Sequence, residues 1–250
     1  MREPAAPAGY AEERERGTSV VALPSVMETV LGAIRTAGSL HAAARASATH
    51  TFTGRGEAYR CRLGDADCVV RHFRRGGMVA RLLDDEYVRV GEYRPIAELH
   101  ASVTARARGV DSPEVVAAVV YPSGIFYRGD IATRYIAGAR DLASVAIGNA
   151  REPQQARVAA WRAAGRLLHR AFDAGVEHAD LNLRNMLIAG DRALLLDLDR
   201  AIIRDGPVSD ATRRRMIARL HRSRRKLEAL YGTAVGADEL VAFAEGLRDA

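Results

Sequence analysis

Polar residues between His178 and Asp199 have the types and the spacing of a phosphoryl-transfer centre. The run His178-Ala179-Asp180-Leu181-Asn182-Leu183-Arg184-Asn185 fits the catalytic-loop pattern H-x-D-L-x-x-x-N. An Asp at the start of such a loop, here Asp180, can accept the proton of an attacking hydroxyl, and the Asn that closes the pattern, here Asn185, can ligate Mg²⁺. We therefore predict His178 and Asp180 as catalytic residues and Asn185 as a metal ligand.

A second acidic segment supplies the other predicted metal ligand. The apolar run Ala193–Leu196 ends in Asp197-Leu198-Asp199. We expect a short hairpin with its turn at Gly190-Asp191 to bring Asp197 beside Asn185. Mg²⁺ prefers few protein ligands and several phosphate or water oxygens, so these two residues suffice when ATP phosphates complete the set. Each residue alone has a structural alternative, namely loop support, capping or a turn, but their order together indicates an ATP-dependent phosphotransferase.

A glycine-containing turn upstream is a candidate for covering the nucleotide phosphates. Gly54 and Gly56 lie between two strand-like segments within residues 51–63. A single G-x-G is a weak signal, and a plain hairpin turn explains it about equally well. Under the first interpretation, Gly54 and Gly56 are cofactor-binding residues, and the sequence leaves both interpretations open.

Arg71 is the candidate cation for the nucleotide. A protein kinase carries a lysine on the corresponding strand, whereas Lys226 is the only lysine in this chain. We therefore predict that Arg71, in a Val-Val-Arg strand, contacts the α- and β-phosphates of ATP; the alternative is an ordinary surface arginine. Glu98, on the following helix, is the predicted partner of Arg71, with Glu86 and Glu92 as competitors that the sequence does not exclude.

The composition fits an ordinary globular protein with an anionic partner. The formal net charge of +6 suits nucleotides, nucleic acid or acidic lipid surfaces. No apolar run approaches the roughly 20 residues that cross a bilayer, and the first residues lack a signal-peptide core. The first 16 residues mix Pro and Ala with alternating Glu and Arg, so we expect a cytoplasmic protein in which residues 1–24 are disordered. The sequence makes no prediction of the oligomeric state.

Periodicity along the chain predicts the elements that position these residues. Residues 25–137 combine a leading helix, from Ser25 to about Ser47, with an antiparallel sheet and one further helix. Residues 138–250 are mainly helical and contain a helix with an apolar stripe at 156–174, the catalytic loop and a strongly basic helix at 210–231. The apolar residues of the basic helix also recur at helical spacing, from Met216 to Leu230 and Tyr231, which predicts a packed stripe. The predicted fold class is α+β, with a sheet-rich first lobe and a reduced, helical second lobe.

Three segments resemble the bacterial lipopolysaccharide kinase family of 3-deoxy-D-manno-octulosonic acid (Kdo) kinases. They are Val69–Gly77, His178–Asn182 and Leu196–Arg200, and the likeness runs from about residue 52 to residue 231. The resemblance implies a bilobal protein-kinase-like fold. It also implies transfer of the ATP γ-phosphoryl group to the 4-hydroxyl of a Kdo sugar on lipid A precursor, at the cytoplasmic face of the inner membrane.

The same resemblance implies roles for individual residues. Carried over to this chain, Asp180 is the catalytic base, Asn185 and Asp197 are Mg²⁺ ligands, and Arg71 is the strand cation that binds ATP. Asp199 stands where protein kinases have the Gly of D-F-G. This departure from protein kinases agrees with the lipopolysaccharide kinase family.

The remaining sequence bears on the acceptor. Only 51 residues (250 minus 199) follow Asp199, and no A-P-E segment occurs among them, which favours a small-molecule or glycolipid acceptor over a protein. The arginines of the basic helix 210–231 either form a solvated face or contact the Kdo-lipid A precursor and the anionic inner membrane. Nucleic acid is not an expected partner, because no stacking aromatic residues interleave these charges.

Two other functions stay open from the sequence. A soluble kinase of the aminoglycoside or choline kinase type shares the H-x-D-x-x-x-x-N pattern. A nucleotide-binding pseudokinase scaffold is the second alternative, although such a protein has no need for Asp180.

Overall fold

The chain folds into two compact units in a computed structural model, which describes residues 5–53, 57–73, 87–88, 91–147 and 151–249. The first unit contains the chain up to Val103 together with Glu114–Tyr135. The second contains Thr104–Pro113 and the chain from Ile136 onward.

An antiparallel sheet forms the body of the first unit. Its strands are β1 (Ala11–Glu15), β2 (Thr18–Ala22), β3 (His50–Phe52), β4 (Ala58–Leu63), β5 (Ala66–His72), β6 (Tyr87–Val88), β7 (Val115–Ser123) and β8 (Phe126–Arg134). They lie in the order β1-β2-β7-β8-β5-β4-β3, and β6 pairs with β8. The central strand β7 is rich in buried valines, which pack well on a sheet that is covered on both faces, and its neighbour β8 is also largely buried.

Helices cover both faces of this sheet. They are α1 (Met27–Ala37), α2 (Leu40–Ala46) and α3 (Arg94–Ala107). Buried residues of α1 and α2 pack with Val70 of β5, whereas Leu99 of α3 packs with Phe73 just beyond the same strand. Because alternate strand residues point to opposite faces, Arg71 shares the α3 face with Phe73. The sheet therefore presents Arg71 to the helix that carries Glu98.

The leading helix, predicted as one element, is in fact two. Gly38 ends α1 in the left-handed conformation (φ 78°), which glycine adopts without steric cost, and Ser39 then caps α2. The first N–H of α2, on Leu40, donates to the Tyr121 hydroxyl (2.8 Å), which itself donates to the buried Asp130 (2.8 Å). This network fixes α2 against the middle of the sheet.

The prediction that residues 1–24 are disordered is wrong for residues 11–22. They form the hairpin β1–β2, and β2 extends the sheet by pairing with β7. Arg16 (φ 49°) and Gly17 (φ 84°) both have positive φ, as a tight two-residue hairpin turn requires. The alternating Glu and Arg residues that suggested a solvated tail are the exposed face of an edge strand, where charge discourages further pairing.

The second unit is mainly helical with two small sheets. Its helices are α4 (Leu142–Ala146), α5 (Gln154–Asp173), α6 (Asp210–Tyr231) and α7 (Ala237–Gly246). Its strands are β9 (Arg140–Asp141), β10 (Val176–Glu177), β11 (Met186–Ala189), β12 (Arg192–Leu195) and β13 (Ile202–Ile203). β9, β11 and β12 form one sheet, and β10 pairs with β13. The α+β class and the protein-kinase-like division into sheet-rich and helical parts are thus confirmed.

Close packing of α5 against α7 organises this unit. The predicted apolar stripe of α5 is buried, including Trp161, whose ring makes an edge-to-face contact with Phe243 of α7 (centroids 5.6 Å apart). Gly165 and Gly246 allow the two backbones to meet: a Cβ on Gly165 would lie 2.4 Å from the Phe243 carbonyl oxygen. Helix α7 was not predicted from sequence. It packs on the face of α5 where Gly165 leaves room for the α7 backbone.

The segment 104–113 belongs to the second unit, although the sequence analysis placed it in the first lobe. The Asp111 carboxylate binds the guanidinium groups of Arg170 (3.3 Å) and Arg192 (2.9 Å). Its carbonyl accepts the N–H of Leu195 at the end of β12 (2.9 Å). These bonds hold the segment to α5 and β12, a tertiary contact that local periodicity does not reveal.

Candidate active site

The predicted catalytic loop follows β10 and is built around a buried histidine. His178 Nε2 lies 2.8 Å from the Leu196 carbonyl oxygen, and the N–H of Asp180 donates to its Nδ1 (3.2 Å). Both bonds form only when the ring is neutral with its proton on Nε2. Burial lowers the pKa of His178 below its usual value, which favours the same neutral form. His178 therefore ties the loop to the end of β12.

Two amide side chains close the loop on the Asp180 carbonyl. Nδ2 of Asn182 (2.9 Å) and Nδ2 of Asn185 (3.0 Å) both donate to that oxygen. A carbonyl only accepts, so these bonds fix which end of each amide faces it. Asn182 Oδ1 accepts the N–H of Arg184 (3.0 Å). The Asn185 amide therefore turns its oxygen away from the loop backbone, the orientation that a metal ligand needs.

The predicted hairpin is confirmed and carries Asp197 to the loop. β11 pairs with β12 from Met186↔Leu195 to Ala189↔Arg192, and the Leu196 N–H donates to the Asn185 carbonyl (2.9 Å). Asp197 follows directly, with φ of +62°. Non-glycine residues occupy this left-handed region at a cost, and such outliers cluster at functional sites. The Asp180 side chain is exposed in the same unit.

In the first unit, Arg71 and Glu98 are in contact. The Arg71 guanidinium forms an ion pair with the Glu98 carboxylate and lies over the Phe73 ring, 4.6 Å from its centroid. Glu98 is only 4% exposed, which is unusual for a glutamate that lacks a cationic neighbour. Glu92, a competitor in the sequence analysis, instead lies 2.6 Å from Nδ1 of His100.

Three predicted residues have no described position. Gly54 and Gly56, the candidate phosphate-covering glycines, lie outside the described residues, as does the competitor Glu86. The proposed role of the glycine turn stays a prediction from sequence.

The basic helix α6 has the bounds that the sequence analysis gave, 210–231. Met216, Leu220 and Leu227 are buried as predicted, but Leu230 and Tyr231 at the helix end are exposed. The exposed side of the helix carries five cations, Arg214, Arg215, Arg222, Arg225 and Lys226, and of these Arg215 also donates to Thr212 Oγ1 (2.6 Å) and lies 3.8 Å from the Glu177 carboxylate. Arg213 and Arg224 are instead half-buried and bonded to the protein's own Asp173 and Glu228.

A contact between α6 and the catalytic loop was not foreseen from sequence. Helix α6 packs against the 3₁₀ turn Leu183–Asn185, and the Leu183 N–H donates a long hydrogen bond to Ser223 Oγ (3.4 Å). Ser223 interrupts a run of arginines and histidine on α6. That interruption is the one sequence signal that could have identified the contact.

No helix within the described ranges is long and apolar enough to cross a membrane.

Comparisons with known proteins agree with this architecture. Residues 41–234 match the model of the lipopolysaccharide kinase (Kdo/WaaP) family. A 3-deoxy-D-manno-octulosonic acid kinase of Stenotrophomonas maltophilia is 36% identical over 177 residues, which cover 70% of this chain and 68% of that protein. A protein of the same name from Vibrio cholerae is 31% identical over 176 residues, covering 68% and 71% of the two chains.

A solved structure shares the fold. WaaP in complex with acyl carrier protein aligns over 83% of this chain and 82% of its own, with a TM-score of 0.53 and 18% sequence identity. The family match and the named relatives make this protein a phosphotransferase that acts as a kinase in lipopolysaccharide synthesis. The resemblance found in the sequence is confirmed: the chain belongs to the lipopolysaccharide kinase (Kdo/WaaP) family.

Proposed function

We propose that this protein transfers the γ-phosphoryl group of ATP to the 4-hydroxyl of a Kdo sugar on Kdo-lipid A precursor. The observation that carries the proposal is a backbone hydrogen bond in the second unit, from the Leu196 N–H to the Asn185 carbonyl, directly before Asp197 with its left-handed backbone. The names of the relatives, 3-deoxy-D-manno-octulosonic acid kinases, support the identity of the sugar.

Asp180 is the proposed catalytic base. Its carboxylate is exposed at the start of the loop, where an acceptor hydroxyl can approach and give up its proton as the phosphoryl group is transferred. The neutral His178, predicted from sequence as catalytic, is proposed as a positioning residue: it accepts the Asp180 N–H, donates to the Leu196 carbonyl and does not itself exchange a proton. The Asp180 carbonyl, bonded by Asn182 and Asn185, limits movement of the carboxylate.

Asn185 and Asp197 are the proposed Mg²⁺ ligands. Both are oxygen donors, as this hard cation prefers, and two protein ligands leave room for phosphate and water oxygens. Bound Mg²⁺ would neutralise the negative charge that develops between the β- and γ-phosphates. The left-handed backbone at Asp197 supports this role, because a strained conformation persists where function requires it.

Arg71 is the proposed cation for the α- and β-phosphates of ATP. The buried carboxylate of Glu98 fixes one edge of its guanidinium group, and the Phe73 ring supports one face. A guanidinium has five donors in a planar fork, so one edge can bind Glu98 while others bind phosphate. Gly54 and Gly56 are proposed to cover the same phosphates.

The activity test compares several acceptors with the wild-type protein and then tests one variant of a proposed metal ligand. Purified protein with ATP and Mg²⁺ should phosphorylate Kdo-lipid A precursor, while aminoglycosides and choline should neither accept phosphate nor compete. Asp197→Asn should abolish metal-dependent turnover and retain the wild-type circular dichroism spectrum. Transfer to choline or an aminoglycoside but not to the glycolipid would refute the acceptor assignment, and full activity of the variant would refute the metal assignment.

Peripheral attachment to the cytoplasmic face of the inner membrane is also proposed, through helix α6. Arg214 and Arg222 are exposed on this helix, and each basic residue at an anionic surface contributes about 1 kcal/mol. Replacing both with Gln should therefore lower partition onto anionic vesicles about 30-fold at low salt. Arg45→Gln, on exposed α2 surface, is the matched control. Equal sedimentation of all three proteins would contradict this contact.

A further inference from the structure

Helix α6 contributes cations to the catalytic loop as well as to the protein surface. Ser223 of α6 contacts Leu183 within the loop. Residues three and four positions apart on a helix share a face, so Lys226 and Arg219 lie on the same side of α6 as Ser223. Both cations are therefore beside the loop that carries Asp180.

Neither cation forms an ion pair with a carboxylate in the described part of the chain. Among the residues that the structure describes, no carboxylate lies within ion-pair distance of Arg219 or Lys226, unlike Arg213 and Arg224 on the same helix. Lys226 is exposed and Arg219 is half-buried. Two positive charges without a described carboxylate partner therefore lie next to the loop that carries Asp180, where they can bind a negatively charged ligand.

An independent electrostatic effect supports the position of Arg219. Burial is the main reason that the pKa of His178 is lowered, and the positive charge of Arg219 acts in the same direction. Such an interaction requires the guanidinium to be near the imidazole that holds the Asp180 backbone. Arg184, exposed on the 3₁₀ turn next to Leu183, adds a third positive charge to this neighbourhood.

We propose that Arg219 and Lys226 bind the carboxylate of the acceptor sugar acid and thereby set acceptor specificity. This inference rests on the proposed function and extends it. A sugar acid carries its carboxylate on the same ring as the hydroxyl proposed to react. A pair of cations beside Asp180 can therefore hold the carboxylate while that hydroxyl faces the catalytic base. ATP is not the ligand of this pair, since Arg71 is the proposed phosphate cation.

Steady-state kinetics of protein variants test the assignment. Lys226→Gln and Arg219→Gln should each raise the KM for Kdo-lipid A precursor about tenfold, the effect of losing a hydrogen bond to a charged group, with kcat and the KM for ATP changed less than about twofold. Arg219→Lys should recover part of the loss. Arg45→Gln is the matched control: it removes the same charge from an exposed position on α2, outside helix α6, and should leave all constants unchanged.

Chemically modified acceptors identify which anionic group of the acceptor the two cations bind. With the sugar carboxylate converted to its methyl ester, wild type and both variants should share one raised KM, because the lost partner is the same in each. With the lipid phosphates removed instead, the tenfold difference between wild type and variants should persist. Loss of the difference with the dephosphorylated acceptor would overturn the proposal in favour of a phosphate site. Equal effects on acid and ester would overturn it altogether.

A chemical measurement separates this proposal from the activity itself. Lys226 carries the only lysine ε-amine in the chain, so its modification by an amine-reactive reagent can be followed without ambiguity, apart from the terminal amine. Acceptor at about ten times its Kd should slow that modification about tenfold by mass action, and the methyl ester should not. Absence of phosphate transfer by every protein would refute the proposed function. Transfer with no protection and unchanged KM would refute only the role of these cations.

Discussion

The buried His178 should make the protein lose stability in mild acid. In the folded state this ring is neutral, with both nitrogens bonded to the backbone of the catalytic loop and of β12, and burial keeps its pKa below 6.5. In the unfolded chain the same ring has an ordinary pKa near 6.5 and takes up a proton as the pH falls. Below that pH, the unfolded state binds more protons than the folded state at this position.

The loss of stability in acid can be calculated, because the unfolded chain binds one more proton at His178 than the folded protein does. Where the unfolded ring is protonated and the folded ring is not, the free energy of unfolding falls by about 1.4 kcal/mol for each pH unit of acidification. Above pH 6.5 the contribution of His178 is fully present. For a protein of this size that slope corresponds to about 3–6 °C in Tm per pH unit.

Thermal unfolding in metal-free buffer between pH 7.5 and 5.5 is the assay. His178→Gln lowers stability at every pH. As the pH falls, however, the free energy of unfolding of this variant should decrease less steeply than that of the wild type, by about 1.4 kcal/mol per pH unit. His50→Gln, an exposed histidine on β3, should retain the wild-type slope. Burial also lowers the pKa of His221, so His221→Gln should reduce the slope as well. If the wild type and His178→Gln decline in parallel, His178 is not buried in its neutral form.

Other perturbations test packing, thiol chemistry and the ion pair of the first unit. Gly165→Ala should lower the free energy of unfolding in urea by at least about 2 kcal/mol, because its Cβ would meet the α7 backbone. Gly32→Ala, in open space on α1, should leave the stability unchanged or raise it. Equal effects of the two substitutions would contradict the α5–α7 packing. Burial raises the pKa of Cys61 to about 11 and that of Cys68 to about 12, so both thiols should resist alkylation at pH 8 until the protein unfolds; rapid modification of the folded protein would show that they are accessible. Glu98→Gln should raise the KM for ATP without loss of the fold by circular dichroism, and an unchanged KM would show that the ion pair does not serve ATP binding.

Much of the second unit was predictable because its chemistry and its local structure coincide in sequence. The loop pattern and the apolar strand before Asp197 are separated by one hairpin, so their meeting is a local event. The helix 210–231 likewise begins at a capping Ser209 and ends at Gly232 in the left-handed conformation, both readable signals.

What sequence did not reveal depends on contacts between distant segments. The choice of Glu98 over Glu92 as the partner of Arg71 requires knowing that α3 lies on the Arg71 face of the sheet. The exposure of Leu230 was missed because helical periodicity continues to the last turn after the packing surface has ended. The Ser223 contact joins residues 40 positions apart, so the serine within the run of arginines marks a contact without indicating its partner.

The amino-terminal hairpin and α1 lie before the segment that matches the family, yet they belong to the same folded core. The family match starts at residue 41, yet β2 and α1 before it bury Val20, Ala22 and Leu31 against the same core as β4 and β5. A fragment beginning at residue 41 would uncover that core and expose the free edge of β7, a template for intermolecular strand pairing. Shortened versions made for expression or crystallisation should therefore start before Ala11, because a cut at the family boundary would yield an aggregating protein.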